Sequence, residues 1–324
     1  MQSPDNSIIP LVDIGALHEG GLEAKAAVAR AIGEACRGLG FFYVVGHRVS
    51  EALVAQAFDM SRRFFALPEA EKERISIAHS PHNRGYIGFG GETLDPGKPA
   101  DLKEAFNVGL ELDAADPEVL AGKPFRGVNL WPGLAGFREV MLAYYDALWK
   151  LGRLMHQAFS IDLGLPLGYF DDKLDRPMAI LRLLHYPAMP ERLAMGQYGA
   201  GEHTDYGNIT LLATDDVGGL EIRTRSGRWL AAPPMQGAFV CNIGDCLMRW
   251  SNDIYCSTPH RVVNRYGRER YSIAYFLDPN PDAVVGSLPI GAAQRAAPKY
   301  APILAADFLR ARLTPTYAHA LPRN

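Results

Sequence analysis

The 324-residue chain has few cysteines, no long apolar run and no marked excess of either charge. Its four cysteines (Cys36, Cys241, Cys246 and Cys256) show no C-x-x-C spacing, which argues against a disulfide framework or a thiolate zinc site. They read as reduced thiols of a cytoplasmic protein. No apolar stretch approaches the roughly 20 residues of a membrane span. Lys plus Arg (33) nearly balance Asp plus Glu (36), for a net charge of −3, so neither nucleic acid nor a membrane surface is expected as a partner. The opening Met1-Gln2-Ser3-Pro4-Asp5-Asn6 carries neither a basic n-region nor an apolar h-region, so no secretory signal is expected. Repeats and low-complexity tracts are missing too. The remaining composition, 48% hydrophobic and 21% charged, is globular and ample for a core. A small-molecule partner and a monomeric state are the default expectations.

Local patterns divide the chain by character. Ile8–Ile14, with Pro10 near its start, suits an edge strand. Val28, Ile32, Ala35 and Leu39 recur at helical spacing and predict a helix over 22–39, closed by Gly38 and Gly40. Phe41–Val45 reads as a buried strand. Ser50 can cap a helix with Leu53, Ala57, Met60 and Phe64 on one face, and Pro68 opens a charged helix over 69–74. Residues 79–99, rich in Gly and Pro, predict a long loop, and loops of that length are often functional. The longest helical pattern runs over 137–163, with Val140, Tyr144, Leu148, Leu151, Met155 and Phe159 on one face.

After Pro177 the pattern turns to short β-type runs at 179–186, 208–213, 220–224, 228–231, 239–243, 261–264 and 270–277. Strands at this spacing suggest a sandwich or jelly-roll barrel. The expected fold class is therefore α+β. Residues 1–125 supply helices, edge strands and a substrate loop; 126–175 supply a long bridging helix. Residues 176–285 supply the β core, sandwich or jelly roll, and 286–324 a C-terminal extension, all in one unit.

His203-Thr204-Asp205 is the stretch that carries chemistry. His203 and Asp205 flank one residue, so an extended backbone sends both side chains to one side. A second histidine, His260, can return to them if the intervening strands fold compactly. Two imidazoles and a carboxylate are the ligand set of the facial triad that leaves positions open on a non-haem Fe(II). His-x-Asp alone is weak in a chain with nine histidines.

Read in order, His203-Thr204-Asp205, Asn242-Ile243-Gly244-Asp245, Ser251-Asn252, Pro259-His260-Arg261-Val262 and Arg270-Tyr271-Ser272 form a series. The N-terminal half adds Ile9-Pro10-Leu11-Val12-Asp13, Gly40-Phe41-Phe42-Tyr43-Val44, Phe64-Phe65-Ala66-Leu67-Pro68, Arg84-Gly85-Tyr86, Lys103-Glu104-Ala105-Phe106 and Asn129-Leu130-Trp131-Pro132. This series resembles the isopenicillin N synthase-like branch of the Fe(II)/2-oxoglutarate-dependent dioxygenases, over about residues 8 to 285. The resemblance implies a double-stranded β-helix core wrapped by helices, with His203, Asp205 and His260 as iron ligands. It implies 2-oxoglutarate and O₂ as cosubstrates, with succinate and CO₂ released as a small molecule is hydroxylated, desaturated or cyclised.

By the same resemblance Arg270 and Ser272 hold the distal carboxylate of 2-oxoglutarate, and Tyr186 contacts it. Guanidinium and hydroxyl at i and i+2 face one way, and the planar fork matches a carboxylate. Leu184 stands where the family usually has asparagine. Arg182, on the same strand face, is either a ligand for an acidic or polar substrate or a rim salt bridge, while His185 faces oppositely. The loop over 79–99, with Arg84, Tyr86 and Phe89, reads as a lid and substrate wall. Phe276 lies either at the pocket mouth or in the core. Three other readings stay open on the sequence: a same-fold oxidase that does not consume 2-oxoglutarate, a Zn²⁺ hydrolase on the same ligands, and a non-catalytic ligand-binding barrel. The substrate itself is not legible.

Overall fold

The short β-type runs of the second half form most of the strands in the computed structural model, which describes residues 8–95, 98–188, 197–263, 267–290 and 297–314. Among these residues the strands are β1 (Leu11–Asp13), β2 (Phe41–Val45), β3 (Gly85–Ile87), β4 (Glu104–Gly109), β5 (Ile180–Tyr186), β6 (Ala200–His203), β7 (Ile209–Thr214), β8 (Leu220–Arg223), β9 (Trp229–Ala232), β10 (Phe239–Ile243), β11 (His260–Val262), β12 (Arg270–Leu277), β13 (Val284–Val285) and β14 (Ile303–Leu304). One sheet runs β1-β2-β10-β7-β12-β5-β4-β3 and a second runs β6-β11-β8-β9, while β13 and β14 pair alone. A cavity lies between the two large sheets, walled by residues of both. The result is an α+β fold with a double-stranded β-helix core wrapped by the N-terminal helices.

Each layer follows from the pattern of its residues. β1 sits at the sheet edge, parallel to β2, where Pro10 just ahead of it leaves no ladder bond unmade. Ser50 Oγ accepts from the Leu53 amide at 3.4 Å and starts the helix Glu51–Phe65. The 26-residue helix Phe137–Asp162 buries Tyr144, Leu148, Leu151, Met155 and Phe159, and packs against the helices Leu22–Gly38 and Glu51–Phe65. Truncating such a side chain to Ala typically costs about 2–5 kcal/mol, so this stripe anchors the N-terminal layer. The helix also reaches the site. Its His156 ring, with Nδ1 on the Gly152 carbonyl, faces the Asn208 amide at 3.1 Å and so braces the turn before β7.

The structure differs from the sequence expectations in particular places. The segment expected as one loop over 79–99 contains β3, whose three residues gain strand character by pairing with β4. β4 and β6 were not expected, because Glu104, Asn107, Glu202 and His203 break the apolar alternation at positions that turn out to matter. The strand expected over 261–264 begins one residue earlier, at His260; Asn264 lies outside the described residues. A helix, Asp245–Trp250, follows β10, and the C-terminal extension holds the helix Ala305–Leu313.

Candidate active site

Strand register brings the two histidines together. β11 pairs with β6 so that His260 stands directly opposite His203, with ring centroids 4.3 Å apart. Asp205 follows where β6 gives way to the turn into β7. Its Oδ1 lies 3.7 Å from His203 Nε2 and 3.6 Å from His260 Nε2. One ligand atom from each residue falls within 4.8 Å of the others.

The surroundings fix which atoms face inward. His203 Nδ1 is 2.8 Å from the Gly201 carbonyl and His260 Nδ1 is 3.1 Å from the Thr258 carbonyl. A carbonyl only accepts, so each Nδ1 carries the proton and each Nε2 presents a lone pair. Asp205 Oδ2 accepts from Thr210 Oγ1 at 2.5 Å and from Asn242 Nδ2 at 2.7 Å, leaving Oδ1 free. Thr210 and Asn242 are register partners across β7 and β10, so the large sheet clamps a ligand carried by the small one. Burial, and then the neighbouring His260, push the His203 imidazole down to about 3, so it is neutral near pH 7. Burial alone would raise the Asp205 carboxyl, but the two imidazoles and the Thr210 and Asn242 donors outweigh it and hold it below its ordinary value. Two imidazoles presenting Nε2 and one carboxylate presenting Oδ1 on one side of a pocket fit a divalent iron with bonds of about 2.0–2.2 Å. Asn242→Leu is expected to weaken Fe(II) binding about 10- to 100-fold, the usual effect of losing a residue that orients a ligand; an unchanged Kd in metal titrations would disprove the clamp.

The rest of the cavity is built on alternate residues of β12 and β5. Arg270 is 1% exposed; its Nε donates to the Gly218 carbonyl at 2.6 Å and its Nη1 to Ser272 Oγ at 3.0 Å. The guanidinium sits 4.7 Å from the ring centroid of Tyr186, its register partner on β5. On the opposite flank Arg182 makes a two-pronged pair with Glu92 at 3.1 and 2.7 Å. Lys103 joins Glu92 at 2.9 Å and Asp101 at 2.5 Å; Arg182, Glu92 and Lys103 line the cavity, and Asp101 stands behind them. Asp101 in turn accepts from the Gly201 amide at 2.9 Å, and the carbonyl of that same residue orients His203.

Comparison with known proteins agrees with this geometry. Residues 177–279 match the 2OG-Fe(II) oxygenase superfamily, and residues 9–134 match the non-haem dioxygenase in morphine synthesis N-terminal family. The 2-oxoglutarate-Fe(II) type oxidoreductase hxnY of Emericella nidulans is 37% identical over 320 residues, covering 96% of this chain and 91% of that protein. The chain belongs to the Fe(II)/2-oxoglutarate-dependent oxygenase superfamily. This oxygenase is also 39% identical over 294 residues to a homoarginine-6-hydroxylase of Oryza sativa subsp. japonica, with 87% of this chain and 88% of that one covered. The crystal structure of a full-length Neurospora crassa protein in complex with alpha-KG and 5-formyluracil superposes with a TM-score of 0.84 at 34% identity, over 96% of this chain and 97% of that one.

The oxygenase uses Fe(II), 2-oxoglutarate and O₂. When bound, the metal supplies O₂ activation coupled to oxidative decarboxylation of 2-oxoglutarate, giving succinate and CO₂ as a substrate C–H bond is oxidised. His203, Asp205 and His260 would hold the ion from one side of the cavity, and three protein ligands of this kind would leave positions for the small molecules. Leu184, Ala200, Leu212 and Val262 line the cavity and keep it largely apolar.

The residues expected in a substrate wall divide into two groups. Arg182 and Phe276 line the cavity with the triad. Arg84, Tyr86 and Phe89 do not. Arg84 is fully buried, donating to the His82 and Phe125 carbonyls, and its guanidinium occupies the space where a Cβ on Gly109 would be. Tyr86 faces Phe106 in the β3–β4 register and donates to Glu104 Oε2 at 2.6 Å behind the sheet. Phe89 is half exposed and lies near the ring of His185, itself bonded to Glu104 at 2.7 Å on that outer face. From this loop Asn83, Glu92 and Leu94 reach the cavity instead. Sequence reading also passed over Thr210, Lys103, Asn107 and Asp278. Thr210 and Asn107 signalled themselves only by polarity between apolar neighbours; Lys103 and Asp278 sit among other polar or turn residues and carried no such signal.

Proposed function

We propose that Arg270 and Ser272, with Tyr186 stacked on the guanidinium, hold the distal carboxylate of 2-oxoglutarate, and that a small polar molecule is oxidised between Arg182 and Phe276. The observation that carries this reading is the state of Arg270: a guanidinium 1% exposed with no carboxylate partner among the described residues. A buried cation kept without an anion calls for one from outside, and the Arg270 fork with the Ser272 hydroxyl matches a carboxylate. The ordered motifs of both halves support placement in the isopenicillin N synthase-like branch. Homoarginine, in the name of one relative, and the 5-formyluracil bound by another are both small, polar and nitrogen-rich. A monomer in the cytoplasm suits the four free cysteines, three of them buried.

Arg270→Lys is the test. Lysine keeps the charge but loses the planar fork, so KM for 2-oxoglutarate should rise about 10- to 100-fold, or about 1.4–2.7 kcal/mol. The turnover number at saturating 2-oxoglutarate should change far less. A KM within twofold of wild type would refute the assignment.

A further inference from the structure

We propose that Asp278 anchors the substrate through a protonated or N–H-bearing nitrogen, so that this oxygenase selects amines, amidines, guanidines or N–H heterocycles over carboxylates. The proposal rests on the reading of the cavity as the 2-oxoglutarate and substrate site. Arg270, Ser272, Ala274, Phe276 and Asp278 all line that cavity, as period-2 alternation along β12 and its first following residue requires. Arg270 marks one end of this row. Thr210, which clamps Asp205, pairs with Phe276, so the metal ligands stand over the far part of the row and Asp278 comes one step beyond. At about 3.3 Å of rise per residue, Asp278 is out of reach of a five-carbon diacid seated on Arg270.

The Asp278 side chain is 5% exposed and its carboxyl has no hydrogen-bond or ion-pair partner among the described residues. Its Oδ1 lies so close to the backbone of Gly207 that a Cβ there would come within 2.6 Å. Burial, and then the charge of Asp205, push its pKa up to about 7. A nitrogen cation or N–H donor bonded to this carboxyl would favour its ionised form and so offset the shift.

The other charges of the wall are already matched. Arg182 is committed to Glu92, and Lys103 to Glu92 and Asp101. Arg270 is reserved for the cosubstrate, and the triad for the metal. A substrate carboxylate would have to displace Glu92 from Arg182 while facing the Asp278 carboxyl. A substrate nitrogen meets an acceptor that nothing else satisfies. Unsatisfied, perturbed groups in a cleft mark places where a ligand completes the structure.

Calorimetric titrations of the Fe(II)- and 2-oxoglutarate-loaded protein without O₂ would decide it, using benzamidine, benzamide and benzoate as probes of one shape and different charge. Benzamidine should bind at least tenfold more tightly than benzoate. Asp278→Asn, with Asp278→Ser as a second replacement should the first not fold, should reduce that preference at least fivefold. Benzoate binding as tightly as benzamidine, no benzamidine binding, or an unchanged preference in the folded variant would each overturn the assignment. Titration of 2-oxoglutarate into the Fe(II) protein separates the failures. If 2-oxoglutarate does not bind, the reading of the cavity falls; if it binds normally and the benzamidine preference is absent, only the role of Asp278 falls.

Discussion

His203→Ala should lower succinate release and substrate oxidation by about three orders of magnitude or more, the scale on which loss of several kcal/mol of metal-based stabilisation falls. The expectation comes from position. His203 is the register partner of His260, its Nδ1 is fixed by the Gly201 carbonyl, and its Nε2 is turned toward Asp205 Oδ1. Alanine leaves one imidazole and one carboxylate, and two protein ligands do not make the three-ligand face that holds the ion and leaves adjacent positions open. The fold should survive. The imidazole is neutral, because burial and His260 keep its pKa near 3, so the substitution strands no buried counter-charge. It releases one backbone carbonyl, that of Gly201. Circular dichroism and the unfolding midpoint should therefore stay close to wild type while Fe(II) binding falls. Succinate release within tenfold of wild type at saturating Fe(II) would remove His203 from the triad.

The parts of the site legible in the sequence share a physical feature: their geometry is local. His203 and Asp205, and Arg270 and Ser272, are i and i+2 pairs, so the backbone alone sends each pair to one side. The bounds of β10 and β12 were likewise legible, because Phe239–Ile243 and Arg270–Leu277 are apolar runs between clear breakers. The illegible parts depend on partners far away in the chain. Glu92 is buried only because Arg182 and Lys103 meet it, and its own neighbours give no hint of that. Tyr86 and Arg84 show the reverse error. Their types suit a binding wall, but the β3–β4 register buries Tyr86 on the sheet face opposite the cavity, and the gap at Gly109 draws Arg84 away from the cavity as well. Residue type named the chemistry; register decided who takes part.

Register also gives the ion pairs of the wall a structural task, and Glu92→Gln should be the most destabilising of these substitutions. Glu92 is 5% exposed and neutralises both Arg182 and Lys103. With glutamine there, two buried cations share one carboxylate, Asp101, and breaking a buried pair in this way typically costs about 3–5 kcal/mol. The loss should depend on pH with a definite sign. Burial would raise the Glu92 carboxyl, but Arg182 and Lys103 outweigh it and pull it down from 4.5 to about 2. A carboxyl depressed in the folded state contributes stability that is complete above its unfolded pKa and is lost as pH falls through its folded one. The window for Glu92 is therefore about pH 4.5 down to 2, and a shift of this size is worth roughly 3 kcal/mol at 1.36 kcal/mol per unit. Urea midpoints of wild type and Glu92→Gln should differ widely at pH 7, draw closer below about pH 4.5 and converge only toward pH 2. The consequence should reach the metal as well, since Asp101 joins Lys103 to the Gly201 peptide, whose carbonyl orients His203. Glu92→Gln should thus weaken Fe(II) binding even where the protein remains folded. Removing both charged partners together, as Glu92→Met with Arg182→Met, should recover part of the stability, because a packed apolar pair strands fewer cations than a broken ionic one. A gap below about 1 kcal/mol at pH 7, or one that does not narrow in acid, would mean that water rather than Glu92 balances Arg182 and Lys103.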